Sequence, residues 1–185
     1  MAYPPIVIIG ESGSGKSTLA NELTRLQPCI KKVVTYTTRP ERDGERYGDD
    51  YYFVEGKEFR DLIDKGFFAH YAVYRGWYFG VATQDCERDN VLVLTPAGLR
   101  EIRKSLNVIS FYLKVDRKSR LIKLLKRGDD IEEAYRRSLS DVGQFDGIEN
   151  EVDYVICNDN YQLGVTEIAK VILDIMDGKR IADDK

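Results

Sequence analysis

The strongest constraint on this chain lies near its start. Ile6 to Ile9 is an unbroken apolar run, Gly10-Glu11-Ser12-Gly13-Ser14-Gly15-Lys16-Ser17 follows at once, and Lys16 to Leu26 then carries Leu19, Leu23 and Leu26 at helical spacing. A short apolar run suits a strand buried on both faces, and the three-four spacing suits an amphipathic helix. The residues between them satisfy G-x-x-x-x-G-K-[ST] in full, in the strand-to-helix context that motif requires. The glycines let the backbone curl so that successive N–H groups point at phosphate oxygens, and the helix start adds its positive end. The prediction is a P-loop for a nucleoside triphosphate, formed by Ser12, Gly13, Ser14, Gly15, Lys16, Ser17 and Thr18. Lys16 should reach the β- and γ-phosphates and Ser17 should ligate Mg²⁺.

The rest of the chain continues the alternation. Val33–Val34, Val91–Leu94, Val108–Val115 and Val152–Cys157 read as further strands. Residues 96–105, 117–126, 132–149 and 165–176 read as helices, with Pro96 suited to a first helical turn. From Thr35 to about Ala82 the texture changes to glycine- and tyrosine-rich sequence with short β-like pieces around a short helix near Lys57–Lys65. Strands alternating with helices imply an α/β fold, a three-layer α/β/α arrangement with a parallel central sheet covered on both faces. At 185 residues and 43% hydrophobic, the chain is expected to form a single domain with a real core, and disorder is excluded.

Other classes fall away on simple grounds. No apolar run approaches the ~18 residues of a membrane span, and the start lacks the basic n-region of a signal peptide, so no membrane association is expected. Cys29, Cys86 and Cys157 are odd in number and far apart, which suits a reducing cytoplasm and gives no zinc spacing. They are expected to be buried packing residues. His70 is the only histidine, so a multi-histidine metal site is impossible. A net charge of -3 argues against nucleic-acid binding but says little about small phosphorylated ligands.

Charge and aromatics are unevenly spread. Residues 117–127 hold Arg117, Lys118, Arg120, Lys123, Lys126 and Arg127 with no acid, and 39–46 interleave Arg39, Arg42 and Arg46 with Glu41, Asp43 and Glu45. Seven of the twelve tyrosines lie between Tyr36 and Tyr78. Taken alone, a basic run reads as a solvated helix face and a tyrosine cluster as packing.

The stretch Thr35-Tyr36-Thr37-Thr38-Arg39-Pro40-Glu41-Arg42-Asp43-Gly44-Glu45, followed by Gly48, Asp50, Tyr51, Phe53 and Val54, resembles the signature of the guanylate kinase family. The likeness continues through Phe67–Gly80, Arg127-Gly128 and Val155–Asp159, and so covers nearly the whole chain in order. It implies an ATP-dependent nucleoside monophosphate kinase acting on GMP or dGMP, a monomer or homodimer. The implied core is residues 1–34, 83–126 and 152–185, with an acceptor-binding insertion at 35–82 and a helical lid at 127–151. The resemblance places Arg39, Arg42 and Tyr51 on the acceptor phosphate, where a planar guanidinium suits phosphate. It places Arg127, and either Arg137 or its neighbour Arg136, on the transferring phosphoryl. Asn158 falls in the loop expected at the adenine. With Lys16 these arginines form the expected catalytic set.

Several positions depart from the family pattern. Where the family places a base-reading glutamate this chain has His70, and Val81 and Thr95 replace two further base contacts, while Thr35 keeps its hydroxyl. Tyr78 is present beside Phe79, which lacks the hydroxyl expected at the acceptor phosphate. The strand at Val91–Leu94 carries no aspartate for the metal. A neutral imidazole cannot accept two hydrogen bonds at once from guanine, so altered base specificity is an expectation alongside a merely packed histidine. Two alternatives stand beside the nucleotide kinase. One is a kinase of another phosphorylated acceptor such as a ribose bisphosphate; the other is a catalytically weak binding module, which the intact Gly15-Lys16-Ser17 disfavours.

Overall fold

The computed structural model describes residues 3–42 and 44–183. Asp43 of the mixed-charge stretch, and the outermost residues of the two terminal core segments, lie outside them. A first sheet holds β1 (Ile6–Ile9), β2 (Lys31–Lys32), β7 (Asn90–Val93), β8 (Ile109–Lys114) and β9 (Tyr154–Cys157) in the order β2-β7-β1-β8-β9. Every pairing in it is parallel, as the alternation required. A smaller sheet holds β3 (Thr35–Thr37), β4 (Tyr51–Phe53), β5 (Phe68–Tyr74) and β6 (Trp77–Ala82) in the order β4-β3-β6-β5.

The pleat of β1 divides the core. Ile6 and Ile8 face α1 (Lys16–Leu26) and α6 (Val165–Asp183), meeting Leu19, Leu23, Ile168 and Ile172. Val7 and Ile9 face α3 (Pro96–Ile102), meeting Leu99 and Ile102. All four β1 side chains are buried, so the strand needs apolar residues on both faces. The carboxyl end of β1 opens between β7 and β8, the place where an open α/β sheet forms a crevice.

The smaller sheet is built on aromatics. Phe59 of α2 (Gly56–Asp64) is fully buried and stacks on Phe68 at 4.5 Å and on Tyr78 at 5.2 Å. Gly80 leaves room for these rings, because a Cβ there would sit 2.8 Å from Phe68 and 2.9 Å from Phe59. Much of the tyrosine cluster is therefore packing: Tyr36 meets Tyr52 at 4.6 Å and Phe67 at 5.2 Å.

Four expectations need correction. The second strand lies at Lys31–Lys32 and not at Val33–Val34; Val33 adds one more ladder bond to Val91 and turns its side chain into the core. The helix expected over 132–149 is α5 (Ile131–Ser140), followed by turns and a short 3₁₀ segment at Ile148–Asn150. Gly143 and Gly147, at φ +79° and +75°, adopt a left-handed conformation that no helix continues through. The last helix runs on to Asp183 instead of stopping at Met176. Cys29 and Cys157 are exposed, so packing does not account for them, whereas Cys86 is half-buried and packs against the core on the α3 side.

Candidate active site

A cavity of about 660 Å³ opens at the carboxyl end of β1, between the first sheet, the smaller sheet and α5. Its floor is the loop Gly10–Ser17. Gly13 and Gly15 take φ +83° and +105°, and a Cβ on Gly13 would lie 2.8 Å from the Arg120 carbonyl oxygen, so only glycine fits this curl. The Lys16 ammonium donates to the carbonyl oxygens of Gly10 at 2.7 Å and Glu11 at 2.9 Å, and has no carboxylate partner. Burial pulls its pKa down to about 8, against the nearby negative charges of Asp141 and Glu11. The Ser14 hydroxyl is buried without a partner. A buried ammonium without a carboxylate partner, beside a glycine curl, leaves an uncompensated positive charge in the cavity floor, suited to an anion such as phosphate.

The smaller sheet supplies further cations. Arg39 is buried, donates to Glu45 at 2.8 Å and lies 5.1 Å from the Tyr51 ring centroid. Arg42 is 3.7 Å from the same carboxylate. Burial, then the positive fields of Arg137 and Arg39, pull the Arg42 pKa down to about 10. From α5, Arg137 is 2% exposed and pairs with Asp129 at 3.0 Å and Glu133 at 2.9 Å, while its Nη2 has no partner. Arg39, Arg42 and Arg137 are thus brought together although they are far apart in the chain. Arg127 stands at the rim, mostly exposed and paired with Asp129 at 2.6 Å, and Arg136 lines the same rim.

Beyond the arginines the cavity ends at His70, Val81, Thr35 and Thr95. His70 is 7% exposed, and both its ring nitrogens are without a partner. Burial lowers its pKa to about 4, so it is neutral at ordinary pH. The Thr95 hydroxyl accepts from the Gly98 amide as the cap of α3, and His70 lies close to that glycine.

The cavity is lined by every sequence-derived site residue except Ser14, Tyr78 and Asn158. Ser14 belongs to the loop, but its buried side chain packs against Gly10 and does not line the cavity. Tyr78 falls on the far face of β6, because side chains alternate along a strand and Trp77, Phe79 and Val81 take the near face. The Asn158 amide is spent on Leu163, accepting from its N–H at 2.8 Å and donating to its carbonyl at 3.1 Å.

Sequence reasoning missed Lys123, Arg120, Arg75 and Asp141. Lys123 lines the cavity, 4.2 Å from the Tyr161 ring centroid, and Arg120 is buried beneath the loop Gly10–Ser17, 3.3 Å from Glu11. Their three-residue spacing in the basic run put both on one helix face; only the turn of α4 (Arg117–Lys126) toward the loop showed which face mattered. Among the described residues no group of three or more His, Cys, Asp or Glu is placed to hold a metal ion. No helix is long and apolar enough to cross a membrane among them.

The Guanylate kinase family model matches residues 3–175. A guanylate kinase of Blochmanniella pennsylvanica is 31% identical, over 97% of this chain and 89% of its own length. One from Geobacter metallireducens is 30% identical, over 90% and 86%. The crystal structure of guanylate kinase from Anaplasma phagocytophilum superposes with a TM-score of 0.70 at 26% identity, covering 96% of this chain and 87% of that one.

Proposed function

Because the chain belongs to the guanylate kinase family, we propose that its cavity transfers the γ-phosphoryl of ATP to a nucleoside monophosphate, with GMP or dGMP the first acceptors to consider. The observation that carries this reading is the convergence of Lys16, Arg39, Arg42 and Arg137 from three separate elements on one cavity, with the Arg137 Nη2 free. Two polyanions must be brought into line there, and neutralising their charge is most of the catalytic task.

Residues 12–18 hold the ATP phosphates, with Lys16 on the β- and γ-phosphates. Arg39, Arg42 and Tyr51 hold the acceptor phosphate within the insertion 35–82. Arg137 and Arg127, from the lid segment 127–151, face the phosphoryl in transit. An acceptor phosphate oxygen attacks the γ-phosphorus in line, the bond to the β–γ bridging oxygen breaks, and ADP leaves; no protein nucleophile takes part. Mg²⁺, held by the Ser17 hydroxyl with the phosphates and water, would supply charge neutralisation. Val93 offers no carboxylate in the cavity wall, so that hydroxyl carries the protein's share. The separated cysteines support a reducing cytoplasm as its compartment, and the family resemblance supports a monomer or homodimer.

A second reading concerns the base. Neutral His70 presents at most one acceptor and Val81 none, so no carboxylate at these positions takes guanine's N1 and N2 hydrogens together, and only the hydroxyls of Thr35 and Thr95 are left to add an acceptor. Each buried polar group left unpaired costs ~1–3 kcal/mol. Discrimination in favour of guanine is therefore reduced.

Coupled ADP release with GMP, dGMP, AMP, UMP and dTMP tests both readings. Turnover with at least one acceptor, abolished by Lys16→Met, is expected. No turnover with any acceptor refutes the kinase, and a preference for GMP of several orders of magnitude refutes the relaxed base reading.

A further inference from the structure

At the wall of the cavity an ionic knot joins four segments: the loop Gly10–Ser17, the β5–β6 hairpin, α4 and the end of α5. Asp141, just past the end of α5, is 5% exposed. Its Oδ2 accepts from the Ser12 amide at 2.9 Å, and its Oδ1 accepts from the Tyr74 hydroxyl and from Arg75 Nη2, both at 2.6 Å. The same Arg75 nitrogen donates to the Arg137 carbonyl oxygen at 2.8 Å and to the Ser12 hydroxyl at 3.2 Å. Arg120 donates to the Ser12 carbonyl oxygen at 3.3 Å. Every polar atom of Ser12, a residue of the phosphate loop, is therefore held by a residue from elsewhere in the chain.

Arg75 also occupies an unusual backbone position. Tyr74 pairs with Trp77 across the β5–β6 hairpin, leaving Arg75 and Gly76 as its two-residue turn at φ +54° and +76°. That turn favours Asn or Gly at its first position, and a long side chain there is mildly strained. Such strain is kept where the side chain is needed. Here the side chain reaches 63 residues back to the loop and 66 forward to Asp141.

We propose that Arg75 and Asp141 are a positioning pair for phosphoryl transfer, fixing the phosphate loop, the β5–β6 hairpin and α5 relative to one another. The inference rests on the kinase reading above and adds residues to it. The loop carries Lys16, the hairpin carries the wall with His70 and Phe79, and α5 carries Arg137, so one buried pair sets the distance between donor and acceptor. Arg75 lines the cavity, but the hydrogen bonds of the pair all run to protein atoms, so it acts through the groups it holds. Alignment is where its loss registers, since a misplacement of ~1 Å costs ~100-fold in rate.

The test uses Arg75→Met and Asp141→Asn, each close in shape to the residue replaced, with ATP and the best acceptor of the panel. Each is expected to lower kcat at least about tenfold with both KM values within about threefold, the pattern of an interaction realised in the transition state. The double variant should be no slower than the slower single, because the two act as one unit. Arg75→Lys should recover part of the rate, since all three Arg75 bonds run through one nitrogen. Tyr74→Phe removes a single bond to Asp141 and serves if the others fail to fold; it should lower kcat by a smaller factor. Unchanged kcat well below the melting midpoint, or losses that multiply in the double variant, overturns the pair. A wild-type protein inactive with every acceptor overturns the kinase reading and this one together, whereas an active wild type with unaffected variants overturns the pair alone.

Discussion

Lowering the pH should destabilise this fold through His70, and the size of the effect follows from its burial. In the unfolded chain the imidazole titrates near its ordinary 6.5, while in the folded protein burial lowers the pKa to about 4, against a smaller opposing effect of Glu101. The unfolded state therefore takes up the proton first. Stability is full above pH 6.5 and falls as the pH drops toward 4. Each pH unit in that window is worth ~1.4 kcal/mol for one proton, so the loss reaches ~3 kcal/mol at its lower end. The side chain is 7% exposed, so solvent screening removes little of this. Urea unfolding of the wild type and of His70→Gln at steps from pH 7.5 to 4.5 isolates the effect, because the carboxylates titrate alike in both. The difference in stability should shift in the variant's favour as the pH falls, because the variant loses less. Parallel curves would refute the reasoning and show that His70 is solvated or finds a partner. Acceptor KM adds a check: with the imidazole already neutral, it should not titrate near 6.5.

Three further outcomes are expected. Gly13→Ala should cost ~1–2 kcal/mol of backbone strain at φ +83° and cost more through the contact with Arg120, with loss of ATP-analogue binding by calorimetry. Phe59→Ala should cost ~3–5 kcal/mol in urea unfolding, because a fully buried ring stacked on Phe68 and Tyr78 is removed. In a thiol titration of the native protein Cys29 and Cys157 should react first and Cys86 last, its thiol being half-buried and pushed up to about 11; Cys29→Ser and Cys157→Ser should shift stability by no more than ~0.5 kcal/mol.

What could be read from the chain alone was whatever short-range order dictates. The run Ile6–Ile9, the glycine curl and the helix at Lys16–Leu26 each follow from local chemistry, and their order forces a loop that can grip phosphate at a strand end. Arg39 and Arg42 stood out only through the resemblance of their stretch to the guanylate kinase signature; by local chemistry alone they read as a loop of mixed charge. The same local reading overran at 132–149, where Gly143 and Gly147 end α5 early, and it assigned the exposed cysteines to packing on composition alone.

The tertiary structure decided what depends on residues distant in sequence. Tyr78 and Phe79 are adjacent, yet the pleat sends one ring to Phe59 and the other to the cavity. The basic run gave no sign that Arg120 lies beneath the loop while Arg117 bonds Ser138, because a helix's facing depends on what packs against it. Asp141 and Arg75 carry no local signal at all. Their bond joins residues 66 apart, and only folding brings a carboxylate, a guanidinium and the Ser12 amide to one buried point. Local chemistry determined that this chain would bind phosphates; the fold determined which side chains hold that site in place.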